Sequence, residues 1–144
     1  MIATAPELVP IRRDADVVTA RRSGRDMAKK IGFGSADQTR LATAISELTR
    51  NVIKYADNGE CMIYNESNDS RNRIRVVVED HGPGIPDVEM AMTDGYTTGG
   101  TLGAGLPGTR RLVNEFDITS EPGLTRVEIA MEKHRSSSAL MMIP

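Results

Sequence analysis

The sequence predicts a two-layer α+β sandwich built as one domain. Two long helical patterns stand side by side near the start, turn-linked pairs of strands follow, and one glycine-rich stretch separates the pairs. Helices segregated from strands in this way pack as one helical layer on one sheet. At 144 residues the chain has material for a single core. Apolar residues make up 39%, with three Tyr, two Phe and no Trp, so that core must be aliphatic and filled out by methionine.

Taken in order, residues 1–7 read as a loose start. "LVPI" (8–11) reads as a short edge strand, because Pro10 is tolerated only at an edge. Asp14 or Asp16 can cap a helix running to about Lys30, which "GFG" at 32–34 ends. Ser35 caps the second helix, "ADQTRLATAISELTRNVIKYA". In it Leu41, Ala44, Ile45, Leu48, Val52 and Tyr55 recur at three- and four-residue steps and form one apolar face. "DNGE" (57–60) is a hairpin-type turn signal. The strands "CMIYNE" (61–66) and "RIRVVVE" (73–79) flank a polar connection, "SNDSRN". Between Gly82 and Gly108 fall eight of the chain's 13 glycines, so this stretch reads as loop, with one short acidic helix, "DVEMAMTD", inside it. "PGTRRLVNEF" starts a helix, Pro107 suiting a first turn whose N–H groups lack intrahelical partners. "DITSE" and "TRVEIAME" are closing strands around a turn at Pro122-Gly123, and "HRSSSALMMIP" is a tail. The domain then spans 8–133, with flexible termini at 1–7 and 134–144.

Several classes fall away. Net charge is −2 with basic and acidic residues well mixed, which argues against nucleic acid held by bulk charge. Cys61 is the single cysteine and cannot make an internal disulfide, and no Cys or His spacing suggests zinc. No run approaches the ~18 apolar residues of a membrane span. A cytoplasmic, reducing setting without membrane contact is the simplest expectation.

"GAGLPG", Gly103 to Gly108, fits the dinucleotide pattern G-x-G-x-x-G. That fingerprint should leave a buried strand directly, whereas "DGYTTGGTL" precedes this one. A Walker loop needs Lys where Thr109 stands, and the lysine strand, H-R-D and D-F-G elements of a protein-kinase glycine loop are missing. Two readings stay open for the segment alone, a mobile surface loop and a phosphate cradle at a helix N-terminus.

Three other pieces bear on the choice. In "ELTRN", Glu47 and Asn51 lie one above the other on the second helix, with Lys54 on the same flank, at the border of core and solvent. Such a flank is an ordinary solvated edge, or else a Mg²⁺-binding amide with a carboxylate base one turn away. In "VVVEDHGPGIP" a buried strand delivers Asp80 to its end. That is a turn-starting aspartate, or a carboxylate that accepts from the amine of adenine while Gly82 and Gly84 leave room for the base. Thr125, in "GLTRVEI", is a hydroxyl on a strand that can lie beside Asp80.

In order, E-x-x-x-N, D-x-G-x-G-I, G-x-G-x-x-G and a strand Thr resemble the ATP site of the gyrase, chaperone and histidine-kinase superfamily, the Bergerat fold, over about residues 8 to 133. "FGSADQTRLATAISELTRN", "DHGPGIPD" and "GGTLGAGLPGTRRLVNEF" are similar to the RsbT-like serine/threonine switch kinases of bacterial stressosomes. The resemblance implies a Bergerat-type ATP-binding fold with a mixed, mainly antiparallel sheet and an ATP lid at about 86–108. It implies that Asp80 holds adenine with Thr125, that Asn51 binds Mg²⁺ and that Glu47 acts on the incoming hydroxyl. The first glycine box would be Asp80, Gly82, Gly84 and Ile85. Leu102, Gly103, Ala104, Gly105, Leu106 and Gly108 would wrap the phosphates, with Lys54 near them. It implies STAS-domain scaffold and antagonist proteins as substrates and a PP2C-type phosphatase as the next partner. From Pro86 to Gly108 there is no Lys or Arg, but there are Asp87, Glu89 and Asp94, so slow turnover is expected. Two alternatives share the fold, an anti-sigma factor kinase and a non-catalytic, nucleotide-dependent binding module.

Overall fold

The protein is described here by a computed structural model, which covers residues 5–56, 58–82, 92 and 105–135. Two helices, α1 (Asp14–Ile31) and α2 (Ser35–Ala56), lie between strands β1 (Glu7–Ile11) and β2 (Gly59–Asn65) in sequence. β3 (Arg71–Asp80), a short helix α3 (Gly105–Leu112), β4 (Glu115–Glu121) and β5 (Leu124–His134) complete the order. The strands form one sheet, β1-β2-β3-β5-β4. Each pairing among the described strands is antiparallel, so the parallel component of a mixed sheet is not found there. β1 is an edge strand, as Pro10 requires. Among the described residues no helix is long and apolar enough to cross a membrane.

Both long helices pack on one face of the sheet, and α3 packs against α2. The core between the layers is built from Ile11, Leu41, Ile45, Val52, Ile63, Ile74, Val76 and Ile129, all at most 1% exposed. Burying each such side chain is worth about 1.5–3 kcal/mol. Gly24 brings α1 against α2, since a Cβ there would run into Ile45 Cδ1. The opposite face of the sheet carries an arginine–glutamate grid. Arg73 reaches Glu66, Glu115 and Glu132, Arg75 reaches Glu66 and Glu128, and Arg126 reaches Glu79 and Glu128.

Local chemistry moves several expected boundaries. The residue that caps α1 is Arg13, not Asp14 or Asp16; Asp16 sits inside the first turn, where its carboxylate accepts from the N–H groups of Arg12 (2.8 Å) and Arg13 (3.1 Å). Gly32, at φ 114°, ends α1. Its N–H donates to Lys29 O while Phe33 N–H donates to Ala28 O, the paired bonds of a Schellman end. α2 starts one residue early: Ser35 is helical, and the carbonyl of Gly34 accepts the first bond, from Gln38. Tyr55 is not part of the apolar face. It is 45% exposed, with the Lys54 ammonium 5.3 Å from its ring centre. "DNGE" leads from α2 into β2 and does not join two strands. α3 begins two residues before Pro107 and stops at Leu112, leaving Glu115 and Phe116 to β4. His134 belongs to β5, paired with Arg71. The acidic helix expected at 87–94 lies outside the described residues except Met92, which packs against the core.

Candidate active site

One rung crosses the whole sheet at the end where α2 finishes: Ile11, Gly59, Asp80, Thr125 and Ser120 are successive register partners. Asp80 and Thr125, 45 positions apart in sequence, thus stand directly opposite each other. Thr125 is 7% exposed, and its hydroxyl lies 3.0 Å from that of Ser120. Ser120 went unnoticed in the sequence. The two-residue turn at Pro122-Gly123 fixes the hairpin register that brings it opposite Thr125, so the turn was the signal for it.

Asp80 is half-buried, and among the described residues no arginine or lysine pairs with it. Burial raises its carboxyl above the usual aspartate range, against the opposing pull of the Gly82 N–H, which donates to Oδ1 at 3.0 Å, and of nearby His81. A partly desolvated carboxylate with one oxygen held and no counter-ion suits a neutral N–H donor such as an exocyclic amine.

Two glycines set this strand end against α2. A Cβ on Gly59 would meet the Glu79 carbonyl oxygen and lie 2.8 Å from Val52 Cγ1 and 3.2 Å from Asp80 Cα. A Cβ on Gly82 would come within 2.6 Å of the Ala56 Cβ and 3.2 Å of the Tyr55 carbonyl oxygen. Asp80 is thereby drawn to the last turns of α2, where Asn51 sits.

On α2, Glu47 is 8% exposed and its Oε1 lies 3.4 Å from Arg50 Nη1. The i,i+3 spacing of Arg50 from Glu47 is the sequence signal for this contact. Asn51 is half-buried, one turn from Glu47, and its amide makes no side-chain hydrogen bond within the described residues. Lys54 is exposed on the same flank.

Gly105, Leu106 and Gly108 form the first turn of α3, with Gly105 at φ 69°. Leu106 is anchored in the core, and the Thr109 hydroxyl donates to the Gly105 carbonyl at 2.9 Å. That turn presents N–H groups without intrahelical partners, a setting suited to an anion. Gly84, Ile85, Leu102, Gly103 and Ala104 lie outside the described residues. Among the described residues no cluster of three or more His, Cys, Asp or Glu could hold a metal ion alone. The donor chemistry suits Mg²⁺ bound mainly by phosphates and water with one amide oxygen, that of Asn51.

The chain as a whole is similar to several known proteins. Residues 36–135 match the family of histidine kinase-, DNA gyrase B-, and HSP90-like ATPases. The serine/threonine-protein kinase RsbT of Bacillus subtilis (strain 168) is 47% identical over 115 residues, which cover 80% of this chain and 86% of that protein. Among solved structures, the RsbU and RsbW domains of Rv1364c from Mycobacterium tuberculosis superpose with a TM-score of 0.65 at 19% identity, over 92% of this chain and 34% of that one. The mycobacterial sensor histidine kinase MprB superposes with a TM-score of 0.55 at 17% identity, over 90% of this chain and 98% of that one. At such identities the two structures speak for the fold alone. The chain belongs to the histidine kinase-, DNA gyrase B-, and HSP90-like ATPase family, among its RsbT-like serine/threonine kinases.

Proposed function

We propose that the chain transfers the γ-phosphate of Mg²⁺-bound ATP to a serine or threonine of STAS-domain scaffold or antagonist proteins in the cytoplasm, and then binds and activates a PP2C-type phosphatase in a stress response. The observation that carries the ATP-site reading is the rung that sets Asp80 opposite Thr125 beside the last turns of α2. In this reading Asp80 accepts from the adenine amine, with the Thr125–Ser120 hydroxyl pair beside it. Asn51 offers its amide oxygen to Mg²⁺, which supplies charge neutralisation at the phosphate oxygens. The turn from Gly105 to Gly108 directs N–H groups at the phosphates. Glu47 accepts the proton of the attacking hydroxyl as its oxygen bonds to the γ-phosphorus and the bond to the β,γ-bridging oxygen breaks. Glu47 must first leave Arg50, which is free to swing because its side chain is 55% exposed.

Incubation with γ-labelled Mg-ATP and purified STAS-domain proteins tests the reading. Label on one serine or threonine, at turnover well below the ~10 s⁻¹ median of enzymes, is expected. A STAS protein that binds but takes no label removes the kinase step and favours the binding module. Capture of a sigma factor favours the anti-sigma reading.

A further inference from the structure

Two groups of cations in this protein contrast. On the outer face of the sheet, Arg71, Arg73, Arg75 and Arg126 are each tied to glutamates. On α1, Arg21, Arg22, Arg25, Lys29 and Lys30 are exposed and make no ion pair among the described residues, although Asp26 lies within a helical turn of four of them. Residues 12–31 hold seven basic and three acidic side chains, in a chain whose net charge is −2. Val18, Arg22, Arg25 and Lys29 follow the spacing of a single helix ridge. Val18 is 41% exposed in its midst. Gly24, on the other side of α1, lets the helix backbone sit close against Ile45, so the backbone under the ridge is held in place.

We propose that this ridge docks an acidic protein face, that of the partner which is bound without being phosphorylated: the phosphatase of the switch. The inference rests on the partner-switching reading above. A bilayer is a poor occupant, because surface-lying helices insert an apolar face and that of α1 is buried at Val17, Ala20 and Ala28. A long polyanion would meet the acidic remainder of the chain. Ile45, which faces α1, and Glu47 are two residues apart on α2, about 100° per residue, and so lie on opposite sides of that helix. A partner seated on α1 therefore leaves the phosphoryl-transfer flank uncovered, which suits a protein that is held and not modified.

The test measures binding of the purified regulatory domain of a PP2C-type phosphatase by calorimetry, beside labelled transfer to a STAS protein. Arg22→Glu/Arg25→Glu should weaken phosphatase binding about tenfold or more, with the Arg22→Gln/Arg25→Gln protein in between. Wild-type binding should weaken steeply with added salt. Melting temperature, ATP affinity and STAS phosphorylation should stay at wild-type levels in both variants. Unchanged phosphatase affinity, or an equal loss toward both proteins, overturns the ridge as the phosphatase dock while leaving the kinase reading intact. A wild-type chain that phosphorylates STAS protein yet never binds the phosphatase overturns the switch itself, and the ridge proposal with it.

Discussion

Asp80 holds a carboxylate at the end of a buried strand, with the Gly82 N–H on one oxygen and His81 nearby. Asp80→Asn keeps the shape but sets an N–H₂ against the adenine amine. ATP affinity should fall about 10- to 100-fold, the range for one hydrogen bond to a charged group, with the melting curve unchanged. The pH dependence has a definite sign. Adenine needs the ionised form, and burial raises the folded pKa, so wild-type affinity should begin to fall at a higher pH than an ordinary aspartate near ~3.9 would dictate. The Asp80→Asn protein should lack that component when the two titrations are compared. Glu47→Ala should leave ATP affinity in place and lower transfer about 10²–10⁴-fold, read by single-turnover phosphorylation. Equal transfer would make Glu47 a bystander. Cys61 is fully buried, its thiol pushed up to about 12 by desolvation, and should react with a thiol reagent only in denaturant. Asp80, Thr125, Glu47 and Asn51 stand out in the sequence through the order of their motifs, and the register of β3 with β5 sets Thr125 opposite Asp80 as that order suggests. Ser120 and the Arg50 contact do not stand out, since one depends on hairpin register and the other on a rotamer. The α1 cap was misread because an aspartate before a helix and one in its first turn satisfy similar N–H groups.

At the scale of elements, the glycine that opens β2 is a joint. Gly59→Ala would push a methyl group into the backbone of β3 and against Val52 at 2.8 Å. The backbone cannot yield as a side-chain end can, so the substitution should lower stability by about 1–3 kcal/mol, measured by urea unfolding. The movement must displace the strand end that carries Asp80, so ATP affinity should drop with stability. An alanine that left both untouched would mean that β2 and α2 separate freely there. Helix and strand patterns were readable from apolar spacing, but Tyr55 was not: the periodicity of α2 continues to its last turn, where the side chain is nonetheless exposed. α3 was drawn too far because "NEF" suits either a helix end or the start of a strand that lies over the core.

Across the whole molecule, helix–strand segregation was legible, whereas the pairing of β1 with β2 was not, since no local pattern encodes it. β5 lies between β3 and β4, in line with the expectation that Thr125 stands beside Asp80. The outer grid it completes makes the fold acid-sensitive. Glu115 is held below the usual glutamate range by its hydrogen bond to Arg73, and Glu128 by its hydrogen bond to Arg126. Depressed folded values mean that this stabilisation is present above the unfolded pKa, ~4.3, and is lost as pH falls through the folded values. The melting temperature should therefore fall on acidification below that point. Arg73→Met should flatten the decline, and an unaltered slope would deny the grid its role. The effect will be modest, because these groups are largely in water.

The Gly123 N–H donates to the Gly82 carbonyl at 3.0 Å, clipping the tip of the last hairpin to the chain just past Asp80, while Ala56 closes on Gly82 from α2. On the proposed role of Asp80, the purine edge meets a jaw fastened on both sides. A base with a keto oxygen in place of its amine would set lone pair against carboxylate in a frame unable to turn aside. Inosine triphosphate, alike in every phosphate, should then compete poorly for the site, the selectivity arising from stiffness as much as from contact.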